Sequence, residues 1–472
     1  MNRKTSPALA VLGLVLPSLA GAASGDELDQ IRQQIDALKE VYESRIRELE
    51  GRLEKAESMA EENREELQQA EVAPPPRPLG GRPALTSNAF NPAISFILQG
   101  SANSYSKDPE DYALPGFQLG GESDLAREGL TLDETELTAS ASVDHLFYSE
   151  VTIGLHDDED DTEVEVEEAY VDPLMLPAGL GGRFGRFYSG VGYLNKFHTH
   201  TWDFRDEPLV YRAFLGKQYR DDGIRLNWTA PTDLYVTLGG ETLSGRQFPG
   251  GESESVKGDI QTLFAKVGGD VGASHSWQAG VSGLFADVND REGGGHSHGD
   301  DDGAGSSFSG DSNLFIADFI WKWAPNGNPR QRNLKLQGEF FYREEDGDVL
   351  FTEDGNQALL DYDGDQRGWY AQAVYQFIPH WRAGVRYDWL DPDNDLKVKD
   401  PGGLDPEEAL EESGFGDEGN PERWSAMLDW SPSEFSRIRA QYNRDESTPG
   451  KTDNQWFLQY IMSLGSHGAH EF

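Results

Sequence analysis

The feature that most constrains this chain is a two-residue alternation of apolar and polar side chains, which begins near Asn88 and continues to the C-terminus. In 381–389, for example, the apolar residues at odd positions alternate with Arg382, Arg386 and Asp388. A period of two is typical of β-strands, because successive side chains point to opposite faces. Many of the apolar faces also begin or end in Trp, Tyr or Phe, which is the pattern of the aromatic girdles of membrane-spanning β-barrels.

Strand-like segments follow one another along the whole region. We count about sixteen: 93–105, 127–143, 145–155, 163–171, 181–188, 222–229, 233–240, 259–268, 274–286, 313–323, 333–343, 367–377, 381–390, 423–431, 434–443 and 455–464. Every second link is short: Asp144, 230–232, 378–380 and 431–433. The other links are long and acidic, such as 106–126, 189–221, 287–312, 344–366 and 391–422. Short turns at one end and long loops at the other predict an all-β transmembrane barrel of about sixteen antiparallel strands over 88–472.

The first 87 residues do not show this two-residue alternation. Residues 1–22 are typical of a signal peptide, with Arg3 and Lys4 before a short apolar stretch and a small-x-small cleavage pattern. Residues 23–71 predict an α-helical coiled coil, because apolar residues recur at heptad spacing from Leu28 to Leu67 with a four-residue stutter after Tyr42. A single surface helix docked on the barrel stays open as the alternative. Residues 72–87 are a Pro/Gly-rich linker.

The composition limits the partners of the chain. A net charge of −44, from 84 acidic and 40 basic residues, excludes nucleic acid as an expected partner. The acidity suits a surface that meets divalent cations and lipopolysaccharide in the outer membrane, although solubility or a saline habitat would explain it equally well. The C-terminal Phe472 after an amphipathic strand is typical of the signal that barrels present to their assembly machinery.

Basic residues are the first candidate functional group. They fall at positions that predict an inward direction: Arg225, Lys335, Arg343, Arg382, Arg386, Arg437 and Arg439. Charges are tolerated on the wet side of a barrel, where they line the pore and set its selectivity. A solvated wall without a particular solute is the alternative.

Histidines near carboxylates are the second group. Candidate metal ligands are His198, His200 and Asp203 in the third long loop, His296, His298, Asp300 and Asp301 in the fifth, and His467 and His470 in the tail. Imidazole and carboxylate groups at such spacings can share a divalent ion such as zinc. Hydrogen bonds that stiffen the third loop, or a hydrophilic surface for the fifth, are the alternatives. We expect no required cofactor, and zinc binding is the one possibility that the pattern raises.

The third long loop carries a structural expectation as well. If it enters the barrel, His198, His200 and Asp203 would lie at the constriction, facing Arg382 and Arg386, while Trp202 and Phe204 anchor the loop on the apolar side of the interior. No nucleophile elbow, HExxH or phosphate-binding loop occurs, so we expect no enzyme.

From Asn91 to Phe472 the chain resembles a family of zinc-regulated proteobacterial outer-membrane proteins that is often labelled TonB-dependent receptor. The resemblance is carried by these segments: 185–195 (GRFYSGVGYLN), 198–204 (HTHTWDF), 208–216 (PLVYRAFLG), 221–228 (DDGIRLNW), 230–235 (APTDLY), the His-rich loop, and SLGSHGAHEF at the C-terminus. It implies a porin-like barrel associated with zinc. A TonB-dependent receptor needs a plug domain and about 22 strands, and the sequence predicts neither. The coiled coil also resembles the periplasmic extension of trimeric porins, which implies a homotrimer.

The combined expectation is a passive outer-membrane channel for small solutes, linked to zinc or another divalent metal, with its coiled coil in the periplasm. An anion-selective porin for phosphate or carboxylates is one alternative, supported by the inward arginines. A structural tether between the outer membrane and peptidoglycan is another.

Overall fold

A computed structural model describes residues 92–120, 123–158, 161–251, 258–292, 305–416 and 419–465, and the structural statements below concern those residues. The predicted signal peptide, coiled coil and linker lie outside the described residues and stay predictions. The described residues all fall in one compact unit.

The unit is built almost entirely from β-strands: β1 Ala93–Ser104, β2 Gly129–Leu132, β3 Thr135–Ser142, β4 Phe147–Asp158, β5 Asp161–Pro173, β6 Leu180–Tyr188, β7 Arg220–Thr229, β8 Tyr235–Leu243, β9 Ile260–Val271, β10 His275–Glu292, β11 Gly305–Trp323, β12 Asn333–Glu353, β13 Asn356–Ile378, β14 Trp381–Asp391, β15 Asn394–Asp400, β16 Glu422–Ser433, β17 Ser436–Asp445 and β18 Asp453–Gly465. Two short α-helices occur, α1 Leu209–Leu215 and α2 Pro406–Glu412, with 3-10 turns at Pro109–Asp111, Leu194–Lys196, Thr199–Thr201 and Pro325–Gly327. Neither helix is long and apolar enough to cross a membrane.

The strands form one closed antiparallel barrel. Neighbours in the chain pair with each other, and β1 closes the ring by pairing with β18 from Ser95↔Gly465 to Ser104↔Trp456. β2 and β3 both pair with β1, and β14 and β15 both pair with β13, so each of these two pairs is a single interrupted strand. The 18 strand segments therefore make a 16-strand barrel, which confirms the predicted barrel.

One prediction about the links between strands is wrong. Residues 344–366 are not a long loop: β12 and β13 continue through them and meet at the tight turn Asp354-Gly355, where φ is 48° and 76°. Much of 287–312 is likewise strand, since β10 extends to Glu292 and β11 starts at Gly305. An Asp-Gly pair with positive φ at both positions is the preferred two-residue hairpin turn. The links at this end, here called the long-loop end, therefore differ widely in length.

The outward face has the character of a lipid-facing surface. Val385, Leu428 and Leu458 leave 53%, 43% and 55% of their surface exposed. Aromatic side chains lie on either side of such residues: Trp381 stacks on Trp430 near the short-turn end, with 6.1 Å between ring centroids. Other aromatic contacts join neighbouring strands toward the long-loop end: Tyr387–Trp424, Trp369–Tyr387 and Tyr442–Trp456.

Candidate functional site

Residues 189–219, here called the inserted segment, lie inside the barrel and fill part of its interior. They hydrogen-bond to inward side chains around the ring, including Glu241 on β8, Glu339 on β12 and Gln441 on β17. All seven residues of α1 are buried. The structure therefore places residues 189–219 of the predicted third long loop inside the barrel, which meets the condition stated for that loop.

Apolar side chains hold the inserted segment in place. Phe214 stacks on Phe341 of β12 with 5.7 Å between centroids, and Phe204 packs with Val374 and Met427. Trp202 is buried, and its Nε1 donates to the carbonyl of Phe197. Such packing is unusual for a loop and resembles that of a hydrophobic core, so the segment is a fixed part of the fold.

Buried ion pairs fix the inserted segment as well. Asp206 accepts from Arg386 at 2.9 Å, Gln441 at 2.6 Å and Asn443 at 2.7 Å, and lies 3.0 Å from Arg423. Burying a charge is costly unless it is paired and hydrogen-bonded, and here the partners on the wall satisfy the carboxylate. The arrangement ties the segment to β14, β16 and β17.

Asp203 lies apart from the histidines of its loop. Its two carboxylate oxygens lie 3.0 Å from Lys335 Nζ and 3.0 Å from Arg382, on β12 and β14. His198 instead contacts β3 and β5, which lie roughly on the opposite side of the ring of strands from β12 and β14. The expected set of His198, His200 and Asp203 is therefore not assembled as one site. Arg382 also pairs with Asp429.

The predicted pore-lining residues all point inward, but most of them meet protein rather than solvent. Arg343, Arg386 and Arg439 are each 1% exposed because protein groups cover them. Arg225 pairs with Glu241, and Arg439 with Asp429. The side chains of Lys335, Arg382 and Arg437 stay 22–24% exposed, and each lies near the start of its strand, at the short-turn end. These three are the most exposed of the seven predicted pore-lining side chains.

A cluster of carboxylates and imidazoles lies on the other side of the interior. The β4–β5 ladder shifts register between Thr152 and Ile153, which leaves Glu167 as the extra residue of a β-bulge. Because the bulge adds one residue, Glu167 and Glu168 are both buried toward the interior, although they are consecutive. Glu136 on β3 and Glu134, in the break between β2 and β3, complete the acidic side of the cluster.

His198 reaches into this cluster from the inserted segment. Its Nδ1 lies 3.2 Å from both Glu136 and Glu167, and its Nε2 lies 3.1 Å from Glu168. Nδ1 of His200 lies 2.7 Å from Glu136. Burial lowers the pKa of His198, but the surrounding carboxylates outweigh this and raise the pKa well above its usual value. The cluster therefore favours positive charge at this position.

The four glutamates of the cluster were not among the residues predicted from the sequence. Part of their signal was present in the sequence, as the alternating carboxylates of 134–136 (ETE) and 163–167 (EVEVE). The inward direction of the consecutive Glu168 depends on the β-bulge. The other predicted metal ligands, His296, His298, Asp300, Asp301, His467 and His470, lie outside the described residues and stay predictions.

Comparisons with solved structures give matches among outer-membrane proteins. A loop-deletion mutant of OmpT from Vibrio cholerae has a TM-score of 0.48 at 10% identity, covering 80% of this chain and 100% of that chain. The channel DcaP of Acinetobacter baumannii has 0.46 at 12% identity, covering 79% and 97%. An anion-selective porin from Comamonas acidovorans has 0.45 at 10% identity, covering 79% and 99%. At these scores and identities the matches carry no argument about function.

Comparison of sequences identifies a relative of this chain. No protein-family model matches the chain. An uncharacterised protein of Aquifex aeolicus (strain VF5) is 31% identical over 412 residues, which cover 82% of this chain and 81% of the relative. At this identity and coverage, the chain belongs to the same family as the Aquifex aeolicus protein.

Proposed function

We propose that this chain is a porin-like channel of the outer membrane, which admits small solutes passively and is linked to the uptake of zinc or another divalent metal. One observation carries the proposal: a closed 16-strand ladder with an apolar, aromatic-bordered outer face surrounds a charged interior. Closure satisfies the backbone hydrogen bonds of all strands, which a lipid environment requires. The zinc link rests on the resemblance and on the imidazole-carboxylate cluster.

The inserted segment makes the expected passage narrow. It occupies interior space across the barrel, so conductance should be lower than that of an open barrel of sixteen strands. The partly exposed Lys335, Arg382 and Arg437 give one wall of the remaining space a positive charge, which favours an anion-selective channel as the second candidate.

Reconstitution into planar lipid bilayers tests the proposal. We expect discrete single-channel steps, and a protein whose mobility in gel electrophoresis changes on boiling, because a closed ladder resists detergent. The reversal potential in a salt gradient decides between cation and anion selectivity. A folded, inserted protein without any conductance would contradict the channel and favour the tether.

A homotrimer is part of the proposal. The coiled coil predicted over 23–71 would contribute to the assembly, because an isolated amphipathic helix leaves its apolar seam unburied. We expect cross-linking of the full chain to give trimers, and deletion of 26–71 to weaken them while the barrel keeps its heat-modifiable migration. Monomers alone, from the full chain, would contradict the trimer.

A further inference from the structure

Four residues from three parts of the chain bring potential metal ligands together in the barrel interior. Glu134, Glu136, Glu167 and His198 each offer one ligand atom, and these atoms all lie within 4.8 Å of one another. We infer that these four residues bind a divalent transition metal, for which zinc is the best-suited ion. The inference deepens the proposed function by naming the residues and the ion class of its metal link.

The imidazole of His198 is already oriented as a metal ligand. Its Nε2 lies 3.1 Å from Glu168, while its Nδ1 faces Glu136 and Glu167 at 3.2 Å. Histidine ligands in proteins usually donate their second ring N–H to a carboxylate, which fixes the tautomer and the ring orientation. Glu168 fills this role from outside the ligand set, and it leaves Nδ1 for the ion.

The charge balance of the cluster favours a dication. The side chains of Glu134, Glu136 and Glu167 are only 6%, 2% and 0% exposed. Lys217 pairs with Glu134 at 2.7 Å. Carboxylates buried this closely repel one another unless cations offset their charge, and an ion with two positive charges would do so at the centre of the cluster.

The chemistry of the ligands selects the kind of ion. One imidazole with carboxylate oxygens suits zinc and its transition-metal neighbours, whereas calcium and magnesium prefer oxygen ligands alone. Zinc bonds of about 2.0–2.2 Å place tetrahedral ligand atoms roughly 3.3–3.6 Å apart. The distances from His198 Nδ1 to Glu136 and to Glu167, both 3.2 Å, are already close to this value. All four ligand atoms lie within 4.8 Å of one another, so the wider separations must shorten by up to about 1.5 Å when the ion binds.

The surroundings provide both rigidity and access. Glu136 lies on β3 and Glu167 on β5, the two strands that pair with β4 from either side. Nδ1 of His200 also lies 2.7 Å from the Glu136 carboxylate. The His198 side chain is 18% exposed, more than any of the three glutamates, so an ion would reach the cluster past the imidazole. A site with one open side can both load and release its ion.

Zinc titration of the purified full chain in detergent tests the inference. His296, His298, His467 and His470 are first replaced by Ala, so that other predicted ligands do not contribute. After chelator treatment, calorimetry should show one zinc per chain, and cobalt should give visible absorption bands. We expect Glu167→Gln and His198→Ala each to weaken zinc binding at least about tenfold, as loss of a ligand or its support does.

Glu150→Gln is the matched control. Glu150 is a carboxylate on the neighbouring strand β4 that accepts from Tyr148 and Tyr170 and lies outside the four-residue set. It should keep parental zinc affinity. Glu167→Gln should also keep or raise the melting temperature of the zinc-free protein, because it removes repulsion, whereas a purely structural Glu167 would lower it.

Two results would overturn the inference: no zinc binding by the parent, or parental affinity in both cluster variants with heat-modifiable migration intact. Conductance is measured on the same samples. Channels without zinc binding would refute the metal site and leave the channel standing, while zinc binding without channels would refute the proposed function alone.

Discussion

Removal of the inserted segment is expected to raise single-channel conductance several-fold. The segment fills interior space and covers inward arginines such as Arg386 and Arg439. A glycine-serine linker can replace 190–218, because the N–H of Ser189 donates to the carbonyl of Tyr219 at 3.0 Å and the two ends are therefore adjacent. Conductance equal to that of the unmodified protein would contradict an obstructing role for the segment.

A single substitution tests whether the inserted segment obstructs the channel without removing the segment. Asp206→Ala removes the carboxylate that Arg386 and Arg423 share, and breaking a buried ion pair in this way costs about 3–5 kcal/mol. We expect a looser segment, a lower melting temperature and more frequent open events. Asp222→Asn is the control, because Asp222 pairs with Arg186 but its side chain is 47% exposed. It should leave conductance unchanged.

The strands were predictable because one face of each strand meets lipid and the other meets the polar interior of the barrel. On β14, the outward Val385 and the inward Arg386 obey the alternation that a wall between lipid and water imposes. The predicted bounds of that strand, 381–390, match the observed Trp381–Asp391 closely. The parts of the strands that carry an apolar outward face could thus be predicted from a single sequence.

The extensions of β12 and β13 toward the long-loop end were not predicted, because the alternation is reversed there: the apolar side chains point inward and the polar ones outward. In β12 and β13 the apolar Val349, Leu360 and Tyr362 are buried, while Asp361 and Asp363 on the opposite face are exposed. A search for apolar outward faces therefore reads this stretch as an acidic loop. The inverted alternation and the Asp-Gly turn could have revealed the hairpin.

The candidate site was only partly predictable, because its geometry depends on register. His198 was found from its spacing to His200, but the bulge that turns both Glu167 and Glu168 inward depends on how β5 pairs with β4. Asp203 was wrongly grouped with the histidines, since local spacing does not show that Lys335 and Arg382 attract it to another wall.

A charged side chain on the outward face of the barrel should destabilise the folded protein. Val385 is 53% exposed and lies between Trp381 and Trp389 along β14. We expect Val385→Arg to lower the free energy of unfolding from lipid vesicles by about 2–4 kcal/mol, because a cation near the middle of the bilayer loses its hydration. Asn227→Arg is the control, since Asn227 lies on β7 between the outward Leu226 and Trp228 and points inward. Urea titrations that give the two variants equal losses would contradict a lipid-facing outer wall, because only a water-facing surface would treat both positions alike.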